Sequence, residues 1–114
     1  MLRQLTAHEV RDLLAATAAG DDAPQLLDVR EPWEVAVAAI DPGRATALHI
    51  PMQEIPARLS EIDPERTVVC VCHHGMRSLH VAHYLARQGY DDVVNLHGGI
   101  DAWSQQVDPG VPRY

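Results

Sequence analysis

Cys72 and the residues after it are the part of the sequence whose types and spacing could do chemistry. An apolar run ends at this cysteine, and the residues expected to contact a substrate follow in order: His73, His74, Gly75, Met76, Arg77 and Ser78. Backbone amides in such a loop can point inward and form an anion-binding concavity, and a helix that starts there adds partial positive charge. Both features favour the thiolate form of Cys72, which is the nucleophilic form of a cysteine. The sequence therefore predicts a catalytic cysteine in an amide cradle.

The length of this loop limits the size of the group that it can hold on the cysteine. Cys72 and Arg77 form a Cys-x4-Arg spacing. Tyrosine-type phosphatases and related arsenate reductases use a loop one residue longer, which admits a tetrahedral phosphate with the arginine folded over it. The shorter loop suits a smaller group, such as a single sulfur atom on the cysteine. A cysteine-dependent phosphatase or arsenate reductase remains an alternative function.

The charged and polar residues near Cys72 allow more than one role. Arg77 can hold the loop through a carboxylate such as Asp28 or Glu31, because arginine–carboxylate pairs fix loops well, or it can face an anionic donor. His73 and His74 can tune the thiolate or contact the donor, since histidine titrates near neutral pH, or they can be exposed loop residues.

Metal binding is the competing interpretation of the same region. The candidate ligands are Cys70, Cys72, His73, His74, His80 and His83. Cys70 and Cys72 do not have the usual zinc-knuckle spacing and no second pair follows, so we expect no metal. Cys70 lies between valines and is expected to serve packing. Nothing in the sequence calls for a cofactor.

Composition restricts the class of protein and its partners. The chain has 114 residues, a formal net charge of −7 and 46% apolar residues, which fits a single globular domain. An acidic chain is a poor ligand for nucleic acid, and the apolar runs are too short for a membrane span. Two cysteines without a disulfide pattern favour a reducing cytoplasm. The oligomeric state is not indicated.

Hydrophobic patterning predicts alternating strands and helices. Thr6 and Glu9 form a capping box for a helix that should end at Gly20, and prolines at 32 and 51 open two more helices. Further helices are expected at 78–88 and 100–106, and strands at 25–29, 47–50, 67–72 and 93–96. Strands that are apolar on both faces indicate a parallel sheet covered by helices, a three-layer α/β domain.

Four motifs together resemble the single-domain rhodanese-like sulfurtransferase family. In chain order they are Leu27–Glu31, Cys72–Ser78, Leu85–Tyr90 and Gly98–Trp103, and the resemblance covers roughly residues 4–106. It implies one domain over 1–114 with a tail at 107–114. The implied fold is a five-stranded, mostly parallel sheet flanked by helices on both faces.

The resemblance also implies an activity. Cys72 would take a sulfane sulfur from a donor such as thiosulfate, hold it as a persulfide, and pass it to a thiol or protein acceptor. Asp28 and Arg30 would support the loop. The sequence from Asp41 to His49 differs from the motif that the family has at this place, so the resemblance implies no role for this segment. A non-catalytic rhodanese-like interaction domain is the second alternative.

Overall fold

The computed structural model describes residues 2–17 and 22–114, which form one five-stranded sheet with helices on both sides. The strands are β1 (Leu2–Leu5), β2 (Gln25–Asp28), β3 (Thr46–His49), β4 (Val68–Val71) and β5 (Val93–Leu96). The helices are α1 (Ala7–Ala15), α2 (Pro32–Val37), α3 (Met76–Arg87) and α4 (Gly99–Gln106), and two 3₁₀ helices span Met52–Glu54 and Pro56–Glu61.

The sheet order is β1-β5-β4-β2-β3, and all four pairings are parallel. β4 and β5 are buried along their whole length, as expected for strands covered on both faces. On one face the sheet packs against α1 and α4, through residues such as Val10 and Trp103. On the other it packs against α3 and the 3₁₀ helices, through residues such as Leu85 and Ile55. The predicted α/β fold is confirmed.

The start of α1 agrees with its sequence signal. The Thr6 hydroxyl accepts a hydrogen bond from the Glu9 amide at 3.2 Å, and the Glu9 carboxylate accepts one from the Thr6 amide at 2.9 Å. These bonds satisfy two amide groups that a helix start otherwise leaves unpaired. The expected end of this helix at Gly20 lies outside the described residues.

Three local predictions are corrected. β1 was not predicted, because its four residues carry only a weak alternation. The helix expected from Pro51 is instead two 3₁₀ helices, since Pro56 lacks an amide donor and Arg58 leaves helical geometry at φ −117°. α3 begins at Met76, two residues earlier than expected, so its first turn belongs to the cysteine loop.

The register places two functional-looking segments side by side. β2 and β4 are neighbours, with Asp28 opposite Val71, and the Val29 amide donates to the Val71 carbonyl at 3.0 Å. The carboxyl ends of parallel strands share one edge of the sheet, which is where α/β proteins bind ligands. Arg30 and Cys72 therefore leave the sheet at the same edge.

No helix of the described residues is long and apolar enough to cross a membrane.

Candidate active site

The sulfur of Cys72 lies in a cradle of hydrogen-bond donors. The Gly75 amide points at Sγ from 3.1 Å, and the Ser78 amide from 3.3 Å. Both belong to the start of α3, whose helix dipole favours negative charge at this point. Cys72 itself is only 1% exposed. The arrangement offers hydrogen bonds to negative charge on a sulfur atom at this position.

A buried polar chain fixes the far side of this cradle. The Ser78 hydroxyl lies 3.3 Å from Sγ and 2.6 Å from Oδ1 of Asn95, to which it donates. The Asn95 side-chain amide donates to the carbonyl of Gly75 at 3.2 Å and to Oε1 of Gln4 at 2.8 Å. β5 and β1 thus hold Gly75 and Ser78 of the loop in place through this hydrogen-bonded network.

The start of α4 determines which way the loop amides face. The Ile100 amide donates to the carbonyl of Cys72 at 2.9 Å, and the Asp101 amide donates to the carbonyl of His73 at 3.1 Å. These carbonyls therefore point away from Sγ. Gly75 has φ +99°, a left-handed conformation that suits glycine and turns the chain so that its own amide faces the sulfur.

Arg77 is held by a carboxylate that the sequence did not single out. Its Nη1 and Nη2 atoms each lie 2.7 Å from an oxygen of Glu34, in a two-pronged pair between α3 and α2. The expectation that Asp28 or Glu31 would be the partner is wrong, because one turn of α2 brings Glu34 inward. The Arg77 guanidinium lowers the pKa of Glu34 to about 2, despite a burial effect that opposes this.

The Asp28–Arg30 pair lies inside the protein, not on its surface. Arg30 is fully buried, and its Nη2 lies 2.6 Å from Oδ2 of Asp28 and 2.7 Å from the carbonyl of Ala38. His49 donates through Nε2 to the Arg30 carbonyl at 2.8 Å. A buried guanidinium with this many acceptors fixes the turn after β2 against α2 and β3.

Tyr114 connects these ion pairs to the cysteine loop. Its hydroxyl donates to Oε1 of Glu34 at 2.9 Å and accepts from Nη1 of Arg30 at 2.9 Å. Its ring stacks on His73 with centroids 3.9 Å apart and planes 7° apart. Nearby, Val111 is buried in the core. Residues 107–114 thus pack back against the site.

The two histidines form a stack at the mouth of the site. The rings of His73 and His74 are 3.9 Å apart with planes at 24°, and ring nitrogens of both lie within 4.8 Å of an Asp101 oxygen. Burial and the nearby His74 lower the pKa of His73, whose Nε2 has no hydrogen-bond partner within the described part of the chain. Nearly parallel rings do not aim their in-plane lone pairs at one point, so the three side chains form a poor metal centre.

Cys70 lies within the core, where burial raises the pKa of its thiol. Two apolar side chains near the loop are in contrast open to solvent: Met76, the first residue of α3, is 66% exposed, and Trp33 in α2 is 62% exposed. The rings of Trp33 and Tyr114 pack edge to face, with their centroids 5.9 Å apart.

The structure brings most of the sequence-predicted site together. Cys72, Gly75 and Ser78 form the cradle, while Arg77, Asp28 and Arg30 lie in the ion pairs that hold it. Sequence reasoning missed Glu34, Asn95 and Tyr114. Asn95 had a signal, a lone amide in a strand of apolar residues, whereas nothing in the sequence pattern pointed to Tyr114.

Comparison with known proteins shows the family of this chain. The rhodanese-like domain family model matches residues 6–106. A sulfurtransferase of Allochromatium vinosum is 46% identical over 84 residues, which are 74% of this chain and 75% of that protein. The Rhodanese-like/PpiC domain-containing protein 12, chloroplastic, of Arabidopsis thaliana is 39% identical over 93 residues, 82% of this chain but only 31% of that longer protein.

A solved structure gives the same result for the fold. The rhodanese-like domain protein from Staphylococcus aureus superposes with a TM-score of 0.77 at 31% identity, covering 98% of each chain. The chain therefore belongs to the rhodanese-like domain family. The names of its relatives support a sulfurtransferase in general.

Proposed function

We propose that the protein is a sulfurtransferase that moves a sulfane sulfur from a donor such as thiosulfate to a thiophilic acceptor through a persulfide on Cys72. The observation that carries the proposal is the pair of amides, from Gly75 and Ser78, that point at Sγ. Donors placed in advance around a developing negative charge lower the barrier to forming it.

The reaction has two steps. The Cys72 thiolate attacks the outer sulfur of the donor, the donor's sulfur–sulfur bond breaks, and the leaving group departs with the electron pair, as sulfite if the donor is thiosulfate. An acceptor nucleophile then attacks the outer sulfur of the persulfide, and Cys72 leaves as a thiolate. The same amides serve both steps, because each begins or ends with negative charge at Cys72.

The surrounding residues keep the cradle in shape during this cycle. Asn95 holds Ser78 and Gly75, and Glu34 holds Arg77 in the first turn of α3. A loop fixed on both sides does not need to reorganise when charge moves on and off the sulfur. The partners we propose are a small sulfur donor and a thiol or protein acceptor in the cytoplasm, with no nucleic acid or membrane involved.

Steady-state sulfur transfer to cyanide tests the proposal. The wild type is compared with Cys72→Ser and with Cys70→Ser across a panel of sulfur donors. We expect Cys72→Ser to lose at least a thousandfold in kcat, and Cys70→Ser to retain activity while losing stability. Native rates in Cys72→Ser would overturn the proposal. Hydrolysis of an aryl phosphate without sulfur transfer would instead favour a phosphatase, and a wild type that forms no persulfide would favour an interaction domain.

A further inference from the structure

Each guanidinium next to the Cys72 loop is already paired with a carboxylate. Arg77 makes two 2.7 Å contacts with Glu34, and Arg30 lies 2.6 Å from Asp28. Glu34 keeps its negative charge at any working pH, because the paired guanidinium holds its pKa at about 2. The two arginines therefore present no net positive charge to a donor.

The histidine side of the mouth also has a carboxylate. Asp101 lies within 4.8 Å of the ring nitrogens of His73 and His74, and Arg113 reaches the same carboxylate at 2.9 Å. The chain has no lysine, and its net charge is −7. The charged groups around Cys72 thus pair off with one another, within a molecule whose net charge repels anions at long range.

Two exposed apolar side chains lie beside the loop. Met76 is 66% exposed and directly follows Gly75, whose amide contacts Sγ. Trp33 is 62% exposed beside Glu34, the partner of Arg77. A dianionic donor gains nothing from these side chains, whereas an organic group can bury itself against them.

We propose that this site takes its sulfur from donors in which the sulfane sulfur is attached to an organic group and the whole carries at most one negative charge, in preference to the thiosulfate dianion. Organic persulfides and thiosulfonates share this chemistry. The proposal rests on the proposed function and specifies its donor. The Cys72 thiolate bonds to the outer sulfur, and the organic group leaves with the electron pair, as a thiolate from a persulfide or a sulfinate from a thiosulfonate.

The probes are benzenethiosulfonate and thiosulfate, with cyanide as the acceptor. Both break the same kind of sulfur–sulfur bond, but one bears a single charge and a phenyl ring and the other two charges. Their intrinsic reactivities are first measured with a small-molecule thiolate. We expect the wild-type ratio of kcat/KM to favour benzenethiosulfonate by at least tenfold beyond that reference ratio.

A charge insertion tests the cause of the preference. Met76→Lys adds a cation at the mouth, and Gln88→Lys adds the same charge about 18 Å away at the other end of α3. Met76→Lys should raise kcat/KM for thiosulfate about threefold to tenfold at low salt, an effect that salt weakens. Gln88→Lys should change it by less than twofold, and Glu34→Gln should shift the ratio in the same direction as Met76→Lys.

Two results would overturn the inference and leave the proposed function intact: a normalised ratio that favours thiosulfate, or equal effects of Met76→Lys and Gln88→Lys. Failure of every donor to load Cys72 would instead remove the proposed function itself. A persulfide donor run beside benzenethiosulfonate shows whether both organic classes are accepted. Rejection of both while thiosulfate is used would count against the inference.

Discussion

Gly99 lies directly against the backbone of Cys72: a methyl group built on Gly99 would come within 2.5 Å of the carbonyl oxygen of Cys72. Gly99 also has φ +62°, where a side chain is strained. The close approach lets the first amides of α4 bind the carbonyls of Cys72 and His73. The Cys72 loop and the start of α4 therefore form one packed unit.

The first prediction concerns this close approach. Gly99→Ala should lower the free energy of unfolding by about 3 kcal/mol and sharply reduce sulfur transfer, because the loop must move to make room. Gly43→Ala is the matched control, since Gly43 has φ +57° and open space around its Cβ position. The control carries only the backbone strain, about 1 kcal/mol. If urea unfolding showed the same loss of unfolding free energy in both variants, the packing argument would be contradicted.

The second prediction follows from the depressed pKa of Glu34. Its carboxyl has a folded pKa of about 2 against an ordinary 4.5, so the ionised pair stabilises the fold above about pH 4.5. We expect Glu34→Gln to lose about 2 kcal/mol at pH 7, after allowance for the partial exposure of Arg77. The gap between the variant and the wild type should narrow as the pH falls from 4.5 towards 2. Unfolding curves at several pH values measure it, and a gap that stays constant with pH would show that the ionised pair is not its cause.

Ser78 gives the third prediction. Ser78→Ala removes the hydroxyl 3.3 Å from Sγ but keeps the amide, and leaves Oδ1 of Asn95 without its donor. We expect kcat/KM to fall about tenfold and stability to fall by about 1–3 kcal/mol. Ser104→Ala is the control, because Ser104 is also buried and its hydroxyl donates to the carbonyl of Val111, not to the sulfur or to Asn95. It should lose similar stability and keep its activity; a matching loss of activity would remove the special role of Ser78.

Tyr114 gives the fourth prediction. Tyr114→Phe keeps the ring on His73 but removes the hydroxyl that joins Glu34 and Arg30, so it should cost about 1–2 kcal/mol and reduce kcat modestly. Tyr114→Ala also removes the stacking and should reduce kcat further.

The control for Tyr114 is the phenol of Tyr90, which is buried. Tyr90→Phe removes a hydroxyl that donates to the carbonyl of Ile62 at 2.7 Å, away from the cradle. It should lower stability without changing kcat. If Tyr114→Ala retained full kcat while unfolding at a lower urea concentration, Tyr114 would be a purely structural residue.

Local sequence signals predicted most of the architecture. The capping box at Thr6, the proline that opens α2 and the apolar strand before Cys72 each act within a few residues, so what they predict does not depend on the rest of the fold. β1 was not predicted from the sequence, because a short edge strand takes its stability from pairing with β5, a contact between residues about ninety positions apart. The 3₁₀ helices were predicted as one α-helix, because the spacing of their apolar residues also fits an α-helix.

In the candidate site, too, the local features could be predicted from the sequence and the contacts between distant residues could not. The cysteine loop was predictable because its cradle is built from the backbone of consecutive residues. Arg77 could be expected to bind a carboxylate, but the choice of Glu34 depends on how α2 packs beside α3. Tyr114 joins Glu34 and Arg30 across some eighty residues of chain, and only the tertiary fold brings them together.

The most direct test of the central claim is peptide mass spectrometry of the protein after brief treatment with benzenethiosulfonate or thiosulfate and removal of the excess donor. The account predicts one additional sulfur atom on the peptide that contains Cys72, its complete removal by cyanide, and its absence in Cys72→Ser. Because Cys70 lies in the same peptide, Cys70→Ser is analysed in parallel and should still gain the sulfur. An unmodified Cys72 with every donor, or a sulfur that persists in Cys72→Ser, would contradict the account.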